Sequence, residues 1–149
     1  MKQHHYNIEV TWTGNTGEGT TSYTGYKRDH TISAEGKENI FASSDPAFKG
    51  DASKYNPEEL FLASISTCHM LWFLHLAADA GIIVESYIDK AEAIMEEWGS
   101  GGKFKEVILH PEISLKDESK RELLNSIHEE AHKACFIANS CNFPITIGG

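Results

Sequence analysis

Apolar and polar residues alternate over residues 6–13, with Tyr6, Ile8, Val10 and Trp12 on one side and Asn7, Glu9, Thr11 and Thr13 on the other. That period of two predicts a half-buried strand. After a turn over residues 14–19, segments 20–24 and 30–34 are rich in β-branched and aromatic residues and are flanked by Gly25 and Gly36. The three segments predict an N-terminal antiparallel meander. Residues 41–55 show no period and read as a long loop, a feature that often belongs to a binding site. At Asn56 the pattern changes. Asn56 suits an N-cap, Pro57 the first helical position, and Glu58 and Glu59 the positive end of the helix dipole. From Leu60 to Ala78 the residues are apolar nearly all the way round, which predicts a long buried central helix with every face covered.

Gly81 is a natural stop for that helix, and residues 82–95 restart the chain as a strand. Gly99-Ser100-Gly101-Gly102 makes a turn, and residues 103–115 alternate again, with Pro111 at an edge or bulge, so the two strands predict a long β-hairpin. Asp117 caps a second helix over residues 118–134, in which Leu123, Leu124, Ile127, Ala131 and Ala134 define an amphipathic face. Residues 136–138 and 143–147 read as short terminal strands. The order of elements is that of an α+β fold.

The length suits a single domain over residues 1–149. A net charge of −9 with scattered lysines and arginines argues against nucleic acid or an anionic membrane as partner. Residues 1–6 have no apolar core, and His69, His75 and Asp79 interrupt the central helix, so neither an export signal nor a membrane span is expected. A soluble cytoplasmic protein is the expectation. Three cysteines in such a chain point to reduced thiols with redox chemistry rather than a disulfide framework.

His128-Glu129-Glu130-Ala131-His132 matches the zinc-protease pattern of two histidines at i and i+4 with a glutamate beside the first. Nothing downstream supplies a third ligand, and a solvated helical face rich in Glu, His and Lys is the reading preferred here; no metal and no cofactor are expected. The cysteines carry more. Cys68 lies in the central helix and Cys135 where the second helix ends, so both can meet at the seam between the helices. A thiol beside a resolving thiol, with an arginine to hold the thiolate and a glutamate to hold the arginine, is what a thiol peroxidase requires, because the thiolate attacks the peroxide oxygen. Cys141 reads as an incidental thiol, and His69 and His75 as core or pocket-lining residues.

Asn56-Pro57-Glu58-Glu59-Leu60, Cys68 nine residues after Glu59, Gly81 before a strand, and Cys135 after a second helix together resemble the OsmC/Ohr family of osmotically inducible and organic hydroperoxide resistance proteins. The segments 44–51, 68–71 and 135–140 are similar to its OsmC-like branch, although Phe136 stands where better-known members have proline. The resemblance implies an intertwined homodimer that reduces organic hydroperoxides, and hydrogen peroxide less well, to alcohols. Cys68 would be the peroxidatic thiolate, Cys135 the resolving thiol, and a dithiol, lipoyl-type in part of the family, the reductant. Glu59 matches the motif glutamate. For the arginine, Arg28 is preferred over the alternative cation Lys49, because a guanidinium can hold carboxylate and thiolate together in one fork.

Helix geometry adds an independent expectation. Nine residues correspond to ~13 Å of rise with side chains on opposite faces, so Glu59 cannot reach Cys68 of its own helix. If both serve one site they come from two chains, which again predicts a homodimer. The rival reading is a non-catalytic protein that binds a hydrophobic small molecule in the dimer cleft.

Overall fold

The computed structural model describes residues 1–148. The backbone divides into two compact units, Met1–Leu60 and Phe61–Gly149. In the first, β1 (Glu9–Trp12), β2 (His30–Ser33) and β3 (Ile40–Ala42) form an antiparallel sheet in the order β1-β2-β3. Val10 faces Ile32, which faces Ile40. The meander exists, but its strands differ from the expected ones. Segment 20–24 forms turns: the Asn15 side-chain oxygen accepts from the Gly17 and Gly19 N–H groups, and Gly25 N–H closes a turn on Ser22. The third strand comes instead from residues 40–42, where the aperiodic stretch begins. β1 is also exposed throughout rather than half-buried, with Val10 61% accessible.

The stretch after β3 is a compact loop. Asp45 caps a 3-10 turn at Pro46–Phe48, Lys49 adopts φ 66°, and Ala42 bridges Tyr55. Here Gly50 is obligatory, because a Cβ would lie 1.6 Å from the Ser44 carbonyl oxygen. The loop delivers the chain to Asn56. Its side chain accepts from Glu59 N–H at 2.9 Å while Glu59 Oε1 accepts from Asn56 N–H at 3.1 Å, a reciprocal capping box that starts α1 (Pro57–Asp79). Gly81, at φ 73°, ends it in the left-handed region that costs glycine nothing.

By length and composition α1 could cross a membrane. In this molecule it packs on an α+β unit through one stripe, Ile65, His69, Phe73 and Ala77, spaced at i, i+4, i+8 and i+12. The expectation that every face is covered does not hold within one chain: Ala63, Thr67, Leu71, His75 and Ala78 are exposed.

The expected long hairpin is present but split. β4 (Val84–Asp89) pairs with β7 (Pro111–Leu115), and β5 (Glu92–Trp98) pairs with β6 (Gly101–Leu109). The break falls at His110, whose N–H donates to the Asp89 carboxylate at 2.7 Å instead of to a strand, and Pro111 then begins β7, a position that needs no donor. Asp117 caps a 3-10 turn at Glu118–Leu123, which runs into the shorter α2 (Leu124–Ala134). Residues 136–138 are not a strand: the chain makes a 3-10 turn at Ala138–Ser140 before β8 (Ile145–Ile147) joins β6 in parallel. Two apolar clusters result. One gathers Phe73, Ala77, Ile82, Leu115, Leu124 and Ala131, the other Ile65, Val107 and Leu109.

Candidate active site

The second unit brings Cys68 and Cys135 together. Cys68 is half-buried on α1, one turn before Trp72. Cys135 is the C-cap of α2: its N–H still bonds the Ala131 carbonyl, but its ψ of 111° takes the chain out of the helix. The 3-10 turn that follows folds the backbone over its side chain, so that Ala138 N–H donates to Cys135 Sγ at 3.4 Å. Cys135 is 1% accessible. Burial, then the neighbouring Cys68 side chain, raise its pKa to about 11, against the opposing pull of the Ala138 and Ile137 N–H groups. At neutral pH Cys135 therefore keeps its proton. All three thiols are free. Cys141 donates to the Ile137 carbonyl at 3.2 Å and packs on the Ile65–Val107–Leu109 cluster.

The other two residues expected in the site belong to the first unit. Arg28 is held on all sides there: Nη1 donates to Tyr26 O and Nη2 to Tyr23 O, both at 2.6 Å, and the guanidinium lies 3.9 Å from the Tyr26 ring centroid and 4.6 Å from that of Tyr23. Two aromatic faces and two carbonyls fix a cation that free rotation would otherwise blur. Glu59 spends one carboxylate oxygen on the capping box, and no ion pair joins it to Arg28 among the described residues. Its neighbour has the opposite character. Glu58 Oε2 is buried and has no hydrogen-bond partner among the described residues. Glu58 is thus a candidate for the cation-orienting role that sequence reasoning attached to Glu59. The signal that could have found it is the capping-box spacing, which commits the third helical residue and leaves the second free.

One histidine differs from its expected placing. His128 does not belong to a solvated face; it is buried, and its Nδ1 lies 2.9 Å from Nε2 of the buried His69. Burial pushes the His69 pKa down to about 4 and that of His128 below its usual value, so the pair is neutral and one imidazole donates to the other. Phe73 stacks on His128 with centroids 4.4 Å apart. With His128 so engaged, the zinc-protease pattern assembles no cluster of three metal-ligating side chains among the described residues.

Beside the thiols the surface is apolar. Leu71, Trp72 and His75 line a shallow cleft of about 200 Å³. Phe136, the residue after Cys135, sets its ring against Trp72 at 5.7 Å and 79°. His75 is exposed and pairs with Asp79 at 3.4 Å. Phe136 lies in a segment expected to be strand, and its pairing with Trp72 was not foreseen.

The arrangement offers a half-buried thiol that can be oxidised, a protonated partner thiol in contact with it, and an apolar approach. The family model of OsmC-like proteins matches residues 50–148. The chain is similar to an OsmC-like protein of unknown function from Vibrio cholerae O1 biovar eltor, at 33% identity and a TM-score of 0.89, covering 98% of this chain and 99% of that one. It shares its fold with organic hydroperoxide resistance proteins from Elizabethkingia anophelis (20% identity, TM-score 0.68, 99% of each chain) and Legionella pneumophila (18%, 0.67, covering 99% of this chain and 100% of that one).

Proposed function

The chain belongs to the OsmC-like protein family, and from that premise we propose that it is a thiol peroxidase reducing organic hydroperoxides to alcohols. The observation that carries the reading is the pairing of half-buried Cys68 with its buried neighbour Cys135, both free thiols. The names of the hydroperoxide resistance proteins that share the fold point the same way.

The Cys68 thiolate attacks the terminal oxygen of the hydroperoxide. An S–O bond forms, the O–O bond breaks, and the alkoxide leaves as alcohol after taking a proton, so sulfur loses two electrons to become a sulfenic acid. Cys135 then attacks that sulfur. Its proton leaves with the expelled hydroxide as water, and a Cys68–Cys135 disulfide remains for a dithiol, lipoyl-type or similar, to reduce by exchange. Hydrogen peroxide lacks an apolar group to bind and reacts less well. Arg28, preformed in its tyrosine cage, supports the thiolate, and Glu59 or its neighbour Glu58 orients the guanidinium. Because either glutamate is ~13–15 Å along α1 from Cys68, the site takes it from a second copy. A homodimer also covers the exposed stripe of α1 and the open face of β1, large apolar areas that a lone chain leaves in water. The protein works in the cytoplasm, where dithiol reductants are available.

Titrating the reduced protein with cumene hydroperoxide tests this directly. Two thiols are lost per chain, peptide mapping links Cys68 to Cys135, and neither Cys68→Ser nor Cys135→Ser forms the link. Survival of the thiols in excess peroxide refutes the peroxidase. The cleft at Leu71, Trp72 and His75 favours one second reading, a non-catalytic binder of a hydrophobic small molecule, which predicts ligand-dependent stabilisation with no thiol loss.

A further inference from the structure

α1 and α2 share a buried cluster to which they contribute Phe73, Ala77, Leu124 and Ala131, yet each helix also sets one imidazole into the seam between them. His128 Nδ1 lies 2.9 Å from His69 Nε2 with the ring planes 8° apart, and Phe73 stacks on His128 at 4.4 Å. Withdrawing two imidazoles from water costs more than burying phenyl rings in their place, and one shared hydrogen bond returns only part of that cost. Stability alone would favour apolar residues at both positions. What the bond adds is a fixed distance and direction, which hydrophobic contact, being non-directional, does not supply. Among the described residues it is the one hydrogen bond between nitrogen or oxygen atoms that joins α1 to α2.

The pair is tied to the thiols through both helices. His69 directly follows Cys68, and His128 stands seven residues, about two turns, before Cys135, on the buried face that also carries Leu124 and Ala131. Resting on the peroxidase reading, we propose that His69 and His128 are positioning residues for the resolving step: their bond holds α1 and α2 in the register at which the Cys135 sulfur reaches the Cys68 sulfenic acid. In that step an S–S bond forms as the S–O bond breaks, and the hydroxide leaves with the Cys135 proton as water. The disulfide admits only Cα separations of ~4.4–6.8 Å, so a shift of one helix along the other slows its formation. Attack on the peroxide uses Cys68 alone and makes no such demand. The imidazoles thus act through the helices, on one of the two chemical steps.

The test follows a single turnover of the reduced, full-length protein with cumene hydroperoxide, reading first the Cys68 sulfenic acid by dimedone capture and then the Cys68–Cys135 disulfide by mass analysis. His128→Phe keeps a ring against Phe73 and removes both nitrogens. Its first phase stays within about twofold of wild type and its second slows about tenfold, so that dimedone captures more of the sulfenic acid. Side-chain amides separate position from bulk. His128→Asn returns a polar atom near the Nδ1 position and recovers most of the lost rate, whereas His128→Gln, whose amide reaches toward the Nε2 position instead, remains slow. Leu124→Ala thins the shared cluster and lowers the denaturation midpoint, but leaves the second phase within about twofold of wild type. A folded His128→Phe that resolves at the wild-type rate overturns the proposal while the peroxidase reading stands. Equal rates in His128→Asn and His128→Gln do the same, as does a Leu124→Ala protein slowed as much as His128→Phe, because the pair is then ordinary packing. Equal slowing of both phases overturns it too. If His128→Phe does not fold, the comparison of asparagine with glutamine decides alone. Wild-type thiols that survive excess peroxide remove the proposal and the peroxidase reading together.

Discussion

Two sides of α1 are built from similar residues and meet opposite surroundings. Ile65, His69, Phe73 and Ala77 are buried against β-strands and α2, whereas Ala63, Thr67, Leu71, His75 and Ala78, half a turn away, face solvent. Each side carries apolar residues and one histidine. On the buried side the histidine is stripped of water and paired with His128; on the open side His75 keeps its water and an exposed carboxylate, Asp79. Apolarity alone therefore did not decide which side is core. What decided it was which side found a partner within the chain, and Cys68 sits on the border, half-buried beside Cys135.

Substitutions that strike one side and spare the other separate these roles. Phe73→Ala has the largest expected effect, a loss of about 3–5 kcal/mol in chemical denaturation, because it removes the ring that anchors α1 to Tyr87 and His128. Leu71→Ala at the open side costs under about 0.5 kcal/mol in the same measurement on the isolated chain. Comparable losses at both positions would erase the distinction.

Acid comes next. The His69 imidazole, facing His128, His132 and Asp89, has a folded pKa of about 4 against an ordinary 6.5. Between these values the unfolded chain binds a proton that the folded chain does not. The stabilisation is thus complete above pH 6.5 and is lost as pH falls toward 4, to a total of roughly 3 kcal/mol. Denaturation curves across pH 4–7 show this slope in wild type, and His75→Ala retains it; a flat profile would mean that the buried pair is not held neutral.

A smaller effect tests the frame that both sides share. Asn56→Ala opens the capping box and costs about 1 kcal/mol, while freeing the Glu59 carboxylate. If Glu58 rather than Glu59 serves the thiolate, Glu58→Gln slows disulfide formation at Cys68 at least tenfold and Glu59→Gln changes it little. The least effect belongs to His75→Ala, within about 0.5 kcal/mol by thermal denaturation, since its pairing with Asp79 is solvent-exposed.

The parts of the fold readable from the chain are those specified by neighbours in sequence. The start of α1 at Pro57, its end before Gly81, the cap at Asp117 and the alternation of β6 all rest on interactions spanning a few residues. The errors lie where a distant contact wins. Segment 20–24 has β-branched residues but is drawn into turns by Asn15 and by the pairing of Gly14 with Lys27; the long strand breaks at Asp89 because a carboxylate accepts the His110 N–H. The site divides in the same way. Cysteine at 68 and 135 on two helices suggested a meeting at their seam, and the second unit brings them into contact. The commitment of Glu59 to a cap, the orphaned oxygen of Glu58 and the tyrosine cage of Arg28 are matters of side-chain direction, which residue spacing does not report.

By itself the sequence determined the α+β order of elements, the limits of the central helix and the identity of the thiols, because periodicity, capping and turn chemistry act over one or two turns of chain. Tertiary structure alone decided which side of an almost uniformly apolar helix is core, that His69 and His128 share a proton out of reach of water, and that Cys135 holds its proton against Cys68. Those outcomes depend on burial and on atoms brought together from 59 or 67 residues apart, and desolvation is a property of the packed molecule rather than of any segment in it.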